Sequence, residues 1–243
     1  MKSLRIGTFN IQHGRDHKKY LETKTEVRDL DLMASVIRDE ALDVCALNEV
    51  RNDEAVGGLY QARELGEKLG YHWEFVKAID SNGGEYGNAI VSRYPIRSVT
   101  AYPLVIPTEK RTPKHRYEDR VLYAAEIDVD GEILTVLGCH FGLALDEETL
   151  AAETAVKVLE KTTSPVVLLG DFNFTPSSEV YKILTAAFTD AADSRDPYFT
   201  FPSHAPDRKI DYIFTANQAT ATDFAVSSRV ASDHRAVTAI VTF

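Results

Sequence analysis

The segment Val166-Val167-Leu168-Leu169-Gly170-Asp171-Phe172-Asn173 constrains the fold more than any other stretch of the chain. Its four branched apolar residues predict a buried strand, and the glycine permits a sharp turn where that strand ends. Asp171 and Asn173 are two residues apart, so both side chains are expected on the same side. A carboxylate and a carboxamide there fit either an Asx turn between strand and helix or the base of an active site.

Composition favours one soluble globular domain over residues 1–243. Hydrophobic residues make up 44% of the 243 residues and charged residues 26%, with no linker, low-complexity segment or repeat. The net charge of −10 disfavours tight, sequence-independent binding to duplex nucleic acid. Nucleic acid stays a candidate partner, because a local basic patch or a bound metal ion can still attract phosphate.

The chain has no apolar run long enough to cross a bilayer and no apolar signal segment at its N-terminus. Cys45 and Cys139 each lie inside an apolar, strand-like run, which favours buried thiols over a disulfide framework. We therefore expect a cytoplasmic location and no membrane partner. The sequence gives no indication of the oligomeric state.

Strand and helix patterns alternate along the chain. We predict strands at 4–11, 43–50, 71–78, 86–92, 121–129, 132–139, 166–169, 210–214 and 236–242, with a further extended segment at 97–105. Helices are predicted at 25–40, 59–69, 146–161 and 177–188. Asp130-Gly131 is a strong hairpin signal, and Asp146 is the predicted N-cap of the third helix. Residues 107–120 form a locally basic loop, which is either solvated or a wall that receives an anionic substrate.

Eight polar side chains border or interrupt the predicted strands. Each alone has an ordinary explanation, such as a turn or a solvated strand end, but eight such placements together favour an active site. Oxygen donors dominate and neither cysteine belongs to the set, which favours Mg²⁺ or Mn²⁺ over structural zinc. The eight residues are Asn10, Glu49, His140, Asp171, Asn173, Asp211, Asp233 and His234.

The motifs that contain these residues, taken in their order along the chain, resemble those of the endonuclease/exonuclease/phosphatase superfamily, which includes the DNase I-like nucleases. The motifs are Thr8-Phe9-Asn10-Ile11, Leu47-Asn48-Glu49-Val50, Tyr86-Gly87-Asn88-Ala89-Ile90-Val91-Ser92-Arg93, Gly138-Cys139-His140, Gly170-Asp171-Phe172-Asn173, Ile210-Asp211-Tyr212-Ile213-Phe214 and Ser232-Asp233-His234-Arg235. The resemblance implies an α/β fold, a four-layered sandwich of two packed mixed β-sheets flanked by helices. Its active site would lie at one edge of the sheets, where the strand ends meet.

The resemblance also implies roles for the oxygen-bearing residues. Glu49 would hold the divalent metal ion, with Asn10 and Asp233 nearby, so that the phosphate oxygens and the leaving oxygen are neutralised. Asp171 would orient or deprotonate the attacking water, and Asn173 would fix water or phosphate beside it.

The two histidines have implied roles as donors. His234 would donate to the phosphoryl oxygens, and Asp211 would hold it in the required tautomer. His140 would be a second phosphate donor or the acid for the leaving group. Whether His140 or Asp171 handles the proton stays open at this point, and Glu85 is a candidate partner for His140.

Substrate contacts are less well defined by the motifs. Arg51, Arg93 and Arg120 are candidates, and Arg51 follows Glu49 by two residues as in the DNase I-like arrangement. The chain departs from the family pattern at Asn48, where Gln is usual, and at Gln12, where some nucleases carry an acid.

These observations predict a Mg²⁺- or Mn²⁺-dependent hydrolase of phosphate esters, acting on a phosphodiester by in-line attack of water. The first alternative is a phosphomonoesterase acting on a small phosphorylated sugar, inositol or lipid headgroup. A catalytically inactive binding module of the same fold is a remote alternative, because none of the chemistry-bearing residues is lost. The loops at 12–23, 51–58, 104–120 and 195–209 are expected to select the substrate.

Overall fold

The strands of the chain divide into two sheets. The computed structural model describes residues 1–192 and 197–243, so part of the predicted recognition loop at 195–209 lies outside the described residues. Within this part, the strands are β1 (Ser3–Asn10), β2 (Val44–Asn52), β3 (His72–Ser81), β4 (Gly84–Ser92), β5 (Ile96–Leu104), β6 (Arg120–Val129), β7 (Glu132–His140), β8 (Val166–Asp171), β9 (Thr189–Asp190), β10 (Asp211–Ala216), β11 (Thr220–Val226) and β12 (Val237–Thr242). The α-helices are α1 (His17–Thr23), α2 (Leu30–Asp39), α3 (Gln61–Leu69), α4 (Leu145–Leu159) and α5 (Glu179–Thr185).

Each sheet of the described structure has six strands and is mixed. The first has the order β11-β12-β1-β2-β4-β3 and the second β5-β6-β7-β8-β10-β9. The pairs β1–β2 and β7–β8 are parallel, and the other pairs are antiparallel. Helices α2 and α3 cover the first sheet, and α4 and α5 cover the second. The predicted four-layered α/β sandwich is confirmed.

Alternation along each strand produces three apolar cores. In β1, Leu4 and Ile6 face the second sheet, where they pack with Val167 and Leu169 of β8. Phe9, on the opposite face of β1, packs with residues of α2 and α3. The remaining core lies between the second sheet and its helices. Because side chains in a strand alternate with a period of two, one apolar strand supplies two layers of the fold.

The same alternation carries polar side chains into the space between the sheets at one end. Continuing in steps of two from Leu4 and Ile6, β1 reaches Asn10, and β8 reaches Asp171 from Val167 and Leu169. The Asn10 side chain donates to the Asp171 carboxylate at 3.0 Å, across the gap between the sheets. The inward faces are therefore apolar in the middle and polar at this end, which we call the mouth.

Asn48 joins the two sheets at this mouth. Its Nδ2 donates to the carbonyl of Cys139 at 2.8 Å and to Oδ1 of Asn88 at 3.0 Å. Its Oδ1 accepts from the backbone N–H of Asp171 at 3.0 Å. Asn88 in turn donates to the carbonyl of Val121 at 3.0 Å. All these groups are buried, so two amides from the first sheet satisfy backbone groups of the second.

Two predicted helix starts are wrong. The helix predicted at 25–40 begins at Leu30, because the Asp29 carboxylate accepts from the N–H of Leu32 at 2.8 Å and caps it there. Asp146 is not the N-cap of α4, which begins after Ala144. The Glu147 carboxylate reaches back to the N–H groups of Ala144 and Leu143, both at 3.2 Å, and satisfies this helix end instead.

Other local expectations are corrected or confirmed by the structure. Helix α5 is shorter than the predicted 177–188, and α1, β9 and β11 were not predicted. Cys45 and Cys139 are buried free thiols, as predicted. None of the helices in the described ranges combines the length and the apolar character needed to span a bilayer.

The inter-sheet amide of Asn48 gives a stability prediction. Asn48→Ala leaves the Asp171 N–H and the Cys139 carbonyl buried without this partner, so we expect a loss of about 3 kcal/mol in the free energy of unfolding. Urea denaturation followed by circular dichroism measures the change. The control is Asn52→Ala in the same strand, where the side chain reaches Glu85 in a partly buried pair; we expect it to cost less than about 1 kcal/mol. Equal losses in the two variants would contradict a linking role for Asn48.

Candidate active site

One oxygen of Asp171 is the point on which the site converges. Oδ2 accepts from Asn10 Nδ2 at 3.0 Å and lies 3.4 Å from His140 Nε2 and 3.5 Å from His234 Nε2. The three nitrogens come from β1, from the end of β7 and from the loop before β12. Asp171 is 1% exposed. Side chains far apart in the sequence therefore surround a single buried carboxylate.

Burial raises the pKa of Asp171 to about 7. The charge of His234 lowers this pKa and the charge of Asp211 raises it, while hydrogen bonds from Asn10 and from the N–H of Asn173 lower it. A carboxyl group with a pKa near neutrality can gain and lose a proton at neutral pH, which suits a general base.

His234 is held by Asp211. The Nδ1 atom lies 2.9 Å from Asp211 Oδ2, which also accepts from Thr200 Oγ1 at 2.5 Å. The ring of Phe201 packs 4.8 Å from the His234 ring, centroid to centroid. Burial lowers the pKa of His234, but the carboxylates of Asp211 and Asp171 outweigh it and raise the pKa to about 10. His234 is therefore a fixed cation at neutral pH, with Nε2 directed at Asp171.

A break in β2 positions Glu49. Cys45 and Leu47 face the helices, so regular alternation would also send Glu49 to that side. The pairing of β2 with β4 shifts register between Leu47 and Val50, and Glu49 has a φ of 58°. Such a bulge redirects a side chain, and here it brings Glu49 Oε1 to 3.1 Å from Asn10 Nδ2.

Asp233 lies on the same side of the cluster as Glu49. Its Oδ2 accepts from Gln12 Nε2 at 2.6 Å. Burial raises the pKa of Asp233; the charge of His234 lowers it, and the nearby Glu49 carboxylate raises it. Within the described residues, the buried Oε1 of Gln12 has no hydrogen-bond partner. Two neighbouring carboxylates and a spare amide oxygen form a hard-oxygen donor set that fits a divalent cation.

A second arrangement in the structure also has the spacing to bind a metal ion. Ligand atoms of Asp171, Asp211 and His234 all lie within 4.8 Å of one another. However, Asp211 already accepts from His234 and Thr200, and His234 carries a positive charge at neutral pH. We therefore favour Glu49 and Asp233 as the metal side of the site, because a cation there would relieve repulsion rather than meet another cation.

Asn173 completes the turn after β8. Its backbone N–H donates to Asp171 Oδ1 at 3.0 Å, and its Nδ2 donates to the carbonyl of Phe141 at 2.9 Å. The residue has a φ of 56°, a conformation that Asn tolerates. The contact between Asp171 and Asn173 is an Asx turn, and it lies at the base of the site, so the two interpretations of this segment are compatible.

The three predicted arginines have different positions. Arg120 Nη1 lies 3.3 Å from His140 Nδ1, inside the cluster. The guanidinium of Arg51 is bound to the Asp53 carboxylate at 2.6 Å and to the carbonyl of Ser81 at 2.8 Å, so it is already engaged. Arg93 bonds to Asp43 at the start of β2, the end opposite Glu49, and does not belong to the site.

Several residues of the site could not be identified from the sequence. His13 lies with Nε2 3.6 Å from Glu49 Oε2, and Gln12 supports Asp233. Thr200 binds Asp211 from a loop with no periodic pattern. The pairing of Glu85 with His140 is wrong: Glu85 accepts from Asn52 at 2.9 Å, and an arginine stands beside His140 instead.

A model of the endonuclease/exonuclease/phosphatase family matches residues 7–234, and the chain belongs to that family. Members of this family are hydrolases that act on phosphate esters. A comparison with curated proteins found no match.

Solved structures share the fold over the whole chain. An endonuclease/exonuclease/phosphatase from Bacteroides vulgatus is 20% identical, with a TM-score of 0.78 and 100% of both chains covered. A mannosyl-6-phosphatase from Bacteroides thetaiotaomicron is 15% identical, with a TM-score of 0.73 and coverage of 99% of this chain and 100% of that one. Truncated TDP2 from Caenorhabditis elegans is 15% identical, with a TM-score of 0.69 and coverage of 99% and 98%.

The pair of Asp211 and His234 gives a pH prediction. Because the folded pKa of about 10 lies above the ordinary 6.5, the stabilisation from this charge is complete below pH 6.5 and is lost as the pH rises toward 10. In Asp211→Asn, we expect His234 to titrate well below the wild-type value. Nuclear magnetic resonance titration of the histidine rings in EDTA measures this. Asp207→Asn, at an exposed carboxylate, is the control; an unchanged His234 titration in Asp211→Asn would contradict the assignment.

Proposed function

We propose that this protein is a divalent-metal-dependent phosphoesterase that hydrolyses a phosphodiester by in-line attack of water. The observation that carries the proposal is the convergence of Asn10, His140 and His234 on one oxygen of buried Asp171, with the Glu49 carboxylate joined to it through Asn10. A carboxyl group poised near neutrality, a cation and an oxygen-rich metal side are the parts that phosphoryl transfer to water requires.

Glu49 and Asp233, with Asn10 nearby, would hold the metal ion, Mg²⁺ or Mn²⁺. When bound, it would neutralise the phosphate oxygens and stabilise the leaving oxygen. Asn10 Nδ2 donates to both Glu49 and Asp171, and its Oδ1 accepts from the N–H of Gln12 at 3.0 Å. This residue therefore sets the spacing between the metal side and the base.

Asp171 would take the proton from the attacking water. Its Oδ1 is occupied by the N–H of Asn173, so Oδ2 is the oxygen that faces the reacting groups. Asn173 uses its Nδ2 on Phe141, which leaves its side-chain oxygen to orient water beside Asp171. His234 would donate from Nε2 to a phosphoryl oxygen as charge develops, with Nδ1 held by Asp211.

The charge of the site favours a diester over a monoester. Four carboxylates lie in or beside the cluster, those of Glu49, Asp171, Asp211 and Asp233. Among the described residues, the cations in direct contact with it are His234 and Arg120, and Arg120 Nη1 is already paired with Glu118 at 2.6 Å. A diester carries one negative charge and a monoester close to two at neutral pH, so a site with little unpaired positive charge suits the diester.

A phosphomonoesterase acting on a small phosphorylated sugar, inositol or lipid headgroup is the second candidate. A pocket of about 180 Å³ borders Glu49, and Arg116 and Leu143 contribute to its lining. Arg116 could supply further positive charge, and the size suits a small leaving group. The Bacteroides thetaiotaomicron protein of the same fold is a mannosyl-6-phosphatase. A catalytically inactive binding module is disfavoured, because the acid, base and donor side chains are all in place. The cytoplasmic location and the partners stay predictions.

Hydrolysis of two chromogenic esters tests this function. We expect turnover of bis(p-nitrophenyl) phosphate with Mg²⁺ or Mn²⁺ and none in EDTA. Asp171→Asn removes the base and should lower kcat by at least about 100-fold. Glu49→Gln should weaken the response to metal, since it removes a charged ligand. The control is Glu85→Gln, because Glu85 lies away from the cluster.

The outcomes separate the candidates. Turnover of p-nitrophenyl phosphate alone, with the same dependence on metal and Asp171, would favour the phosphomonoesterase. Turnover that persists in EDTA or in Asp171→Asn would contradict both.

A further inference from the structure

Arg120 is the first residue of β6 and lies beside His140, the last residue of β7. Strands β6 and β7 form an antiparallel hairpin in which Leu122 is opposite Cys139, so the start of β6 and the end of β7 lie at the same end of the sheet. The Arg120 side chain is only 10% exposed. Its Nη1 donates to Glu118 Oε1 at 2.6 Å and lies 3.3 Å from His140 Nδ1. The guanidinium is therefore anchored on one side and directed at the imidazole on the other.

The chemistry of this contact determines where the His140 proton lies. A guanidinium has donors only and stays charged, so a hydrogen bond from Arg120 requires a lone pair on Nδ1 of His140. The ring proton of the neutral imidazole is then on Nε2. This nitrogen lies 3.4 Å from Asp171 Oδ2, the oxygen on which the site converges.

The surroundings of His140 also oppose a charged ring. Burial lowers the pKa of His140 well below its ordinary value, and the charges of Arg120, His234 and His13 lower it further. A carboxylate in the place of Arg120 would have the opposite effect, because it would accept a hydrogen bond from Nδ1–H and stabilise the imidazolium. The two histidines of the site are thus in different states. His234 is paired with the carboxylate of Asp211 and is charged, whereas His140 lies beside the guanidinium of Arg120 and is neutral.

We propose that Arg120 is a positioning residue that fixes His140 as the neutral tautomer with its proton on Nε2. His140 then acts as a hydrogen-bond donor to a phosphoryl oxygen and does not supply a proton to the leaving group. As the water oxygen bonds to phosphorus, its proton goes to Asp171; the bond from phosphorus to the leaving oxygen breaks, and that oxygen takes its proton from solvent. The role of the donor rests on the proposed function, whereas the tautomer is a property of the free protein.

Nitrogen nuclear magnetic resonance of ¹⁵N-histidine-labelled protein tests the proposal without substrate or metal. At pH 7, we expect His140 to show a protonated Nε2 and an unprotonated Nδ1, with the signal assigned through His140→Gln. In Arg120→Gln, the amide can still donate to Nδ1, so the tautomer should be kept. In Arg120→Glu, the carboxylate accepts instead, so Nδ1 should become protonated, either in the Nδ1–H tautomer or in the imidazolium. Arg116 and Arg120 both line the pocket of about 180 Å³ beside Glu49. Arg116→Gln is therefore the control and should leave the His140 signals unchanged.

A wild-type His140 protonated on Nδ1, or an Nδ1 that stays unprotonated in Arg120→Glu, would overturn the proposal. If Arg120→Glu does not fold beside Glu118, Arg120→Met decides: without a donor, Nδ1 should gain proton occupancy, and an unchanged Nε2–H form would again overturn it. In a hydrolysis assay, Arg120→Glu should lower kcat by about 100-fold with a smaller change in KM, as for loss of one donor to the developing charge. An inactive wild type with the expected tautomers would count against the proposed function and leave the tautomer assignment standing.

Discussion

The buried amide of Asn48 is the contact on which the geometry of the site depends. Two sheets packed through branched apolar side chains have no directional contact that fixes one against the other, because dispersion and hydrophobic burial are not directional. Asn48 supplies that direction by bonding the backbone of both β7 and β8 from β2. Glu49 follows Asn48 in the sequence, and Asp171 lies opposite Asn48 on the second sheet. Glu49 and Asp171, which we propose as metal ligand and base, are therefore positioned by the same amide.

A division of charge follows from this arrangement. On one side, Glu49 and Asp233 lie close enough for their charges to oppose each other, which a divalent cation would relieve. On the other side, His234 is held as a cation by Asp211 and Asp171. Asn10 touches Glu49 and Asp171 and lies between the two halves. With a divalent cation bound on the first side, as we propose, a phosphate group placed between the two sides would meet positive charge from both.

Much of this could be predicted from the sequence. Each strand that ends in the site is a short apolar run, so a polar residue at its end stood out, as with Asp171 after Leu169 and Asp211 within β10. The order of the motifs then indicated the fold, which is confirmed. The two-residue alternation also explains why Asn10 and Asp171 share the inward face.

The remainder depended on contacts that no local pattern encodes. The bulge that turns Glu49 inward is a property of the pairing of β2 with β4, and regular alternation would have sent it toward the helices. Thr200 reaches Asp211 from an irregular loop. The sequence offers Glu85 as a candidate partner for His140, whereas in the structure Glu85 accepts from Asn52 and Arg120 lies beside His140. The N-cap of α4 was assigned to Asp146 because Asp is a good cap, but Glu147 reaches back over one turn.

The position of the metal ion tests most directly whether Glu49 and Asp233 bind the metal while Asp211 and His234 stay paired. Crystals soaked in Mn²⁺ give an anomalous scattering peak at the bound ion. We expect a peak beside the carboxylates of Glu49 and Asp233, with the hydrogen bond between Asp211 and His234 intact, and no such peak in Glu49→Gln. A peak bound between Asp171, Asp211 and His234, with that hydrogen bond broken, would contradict it.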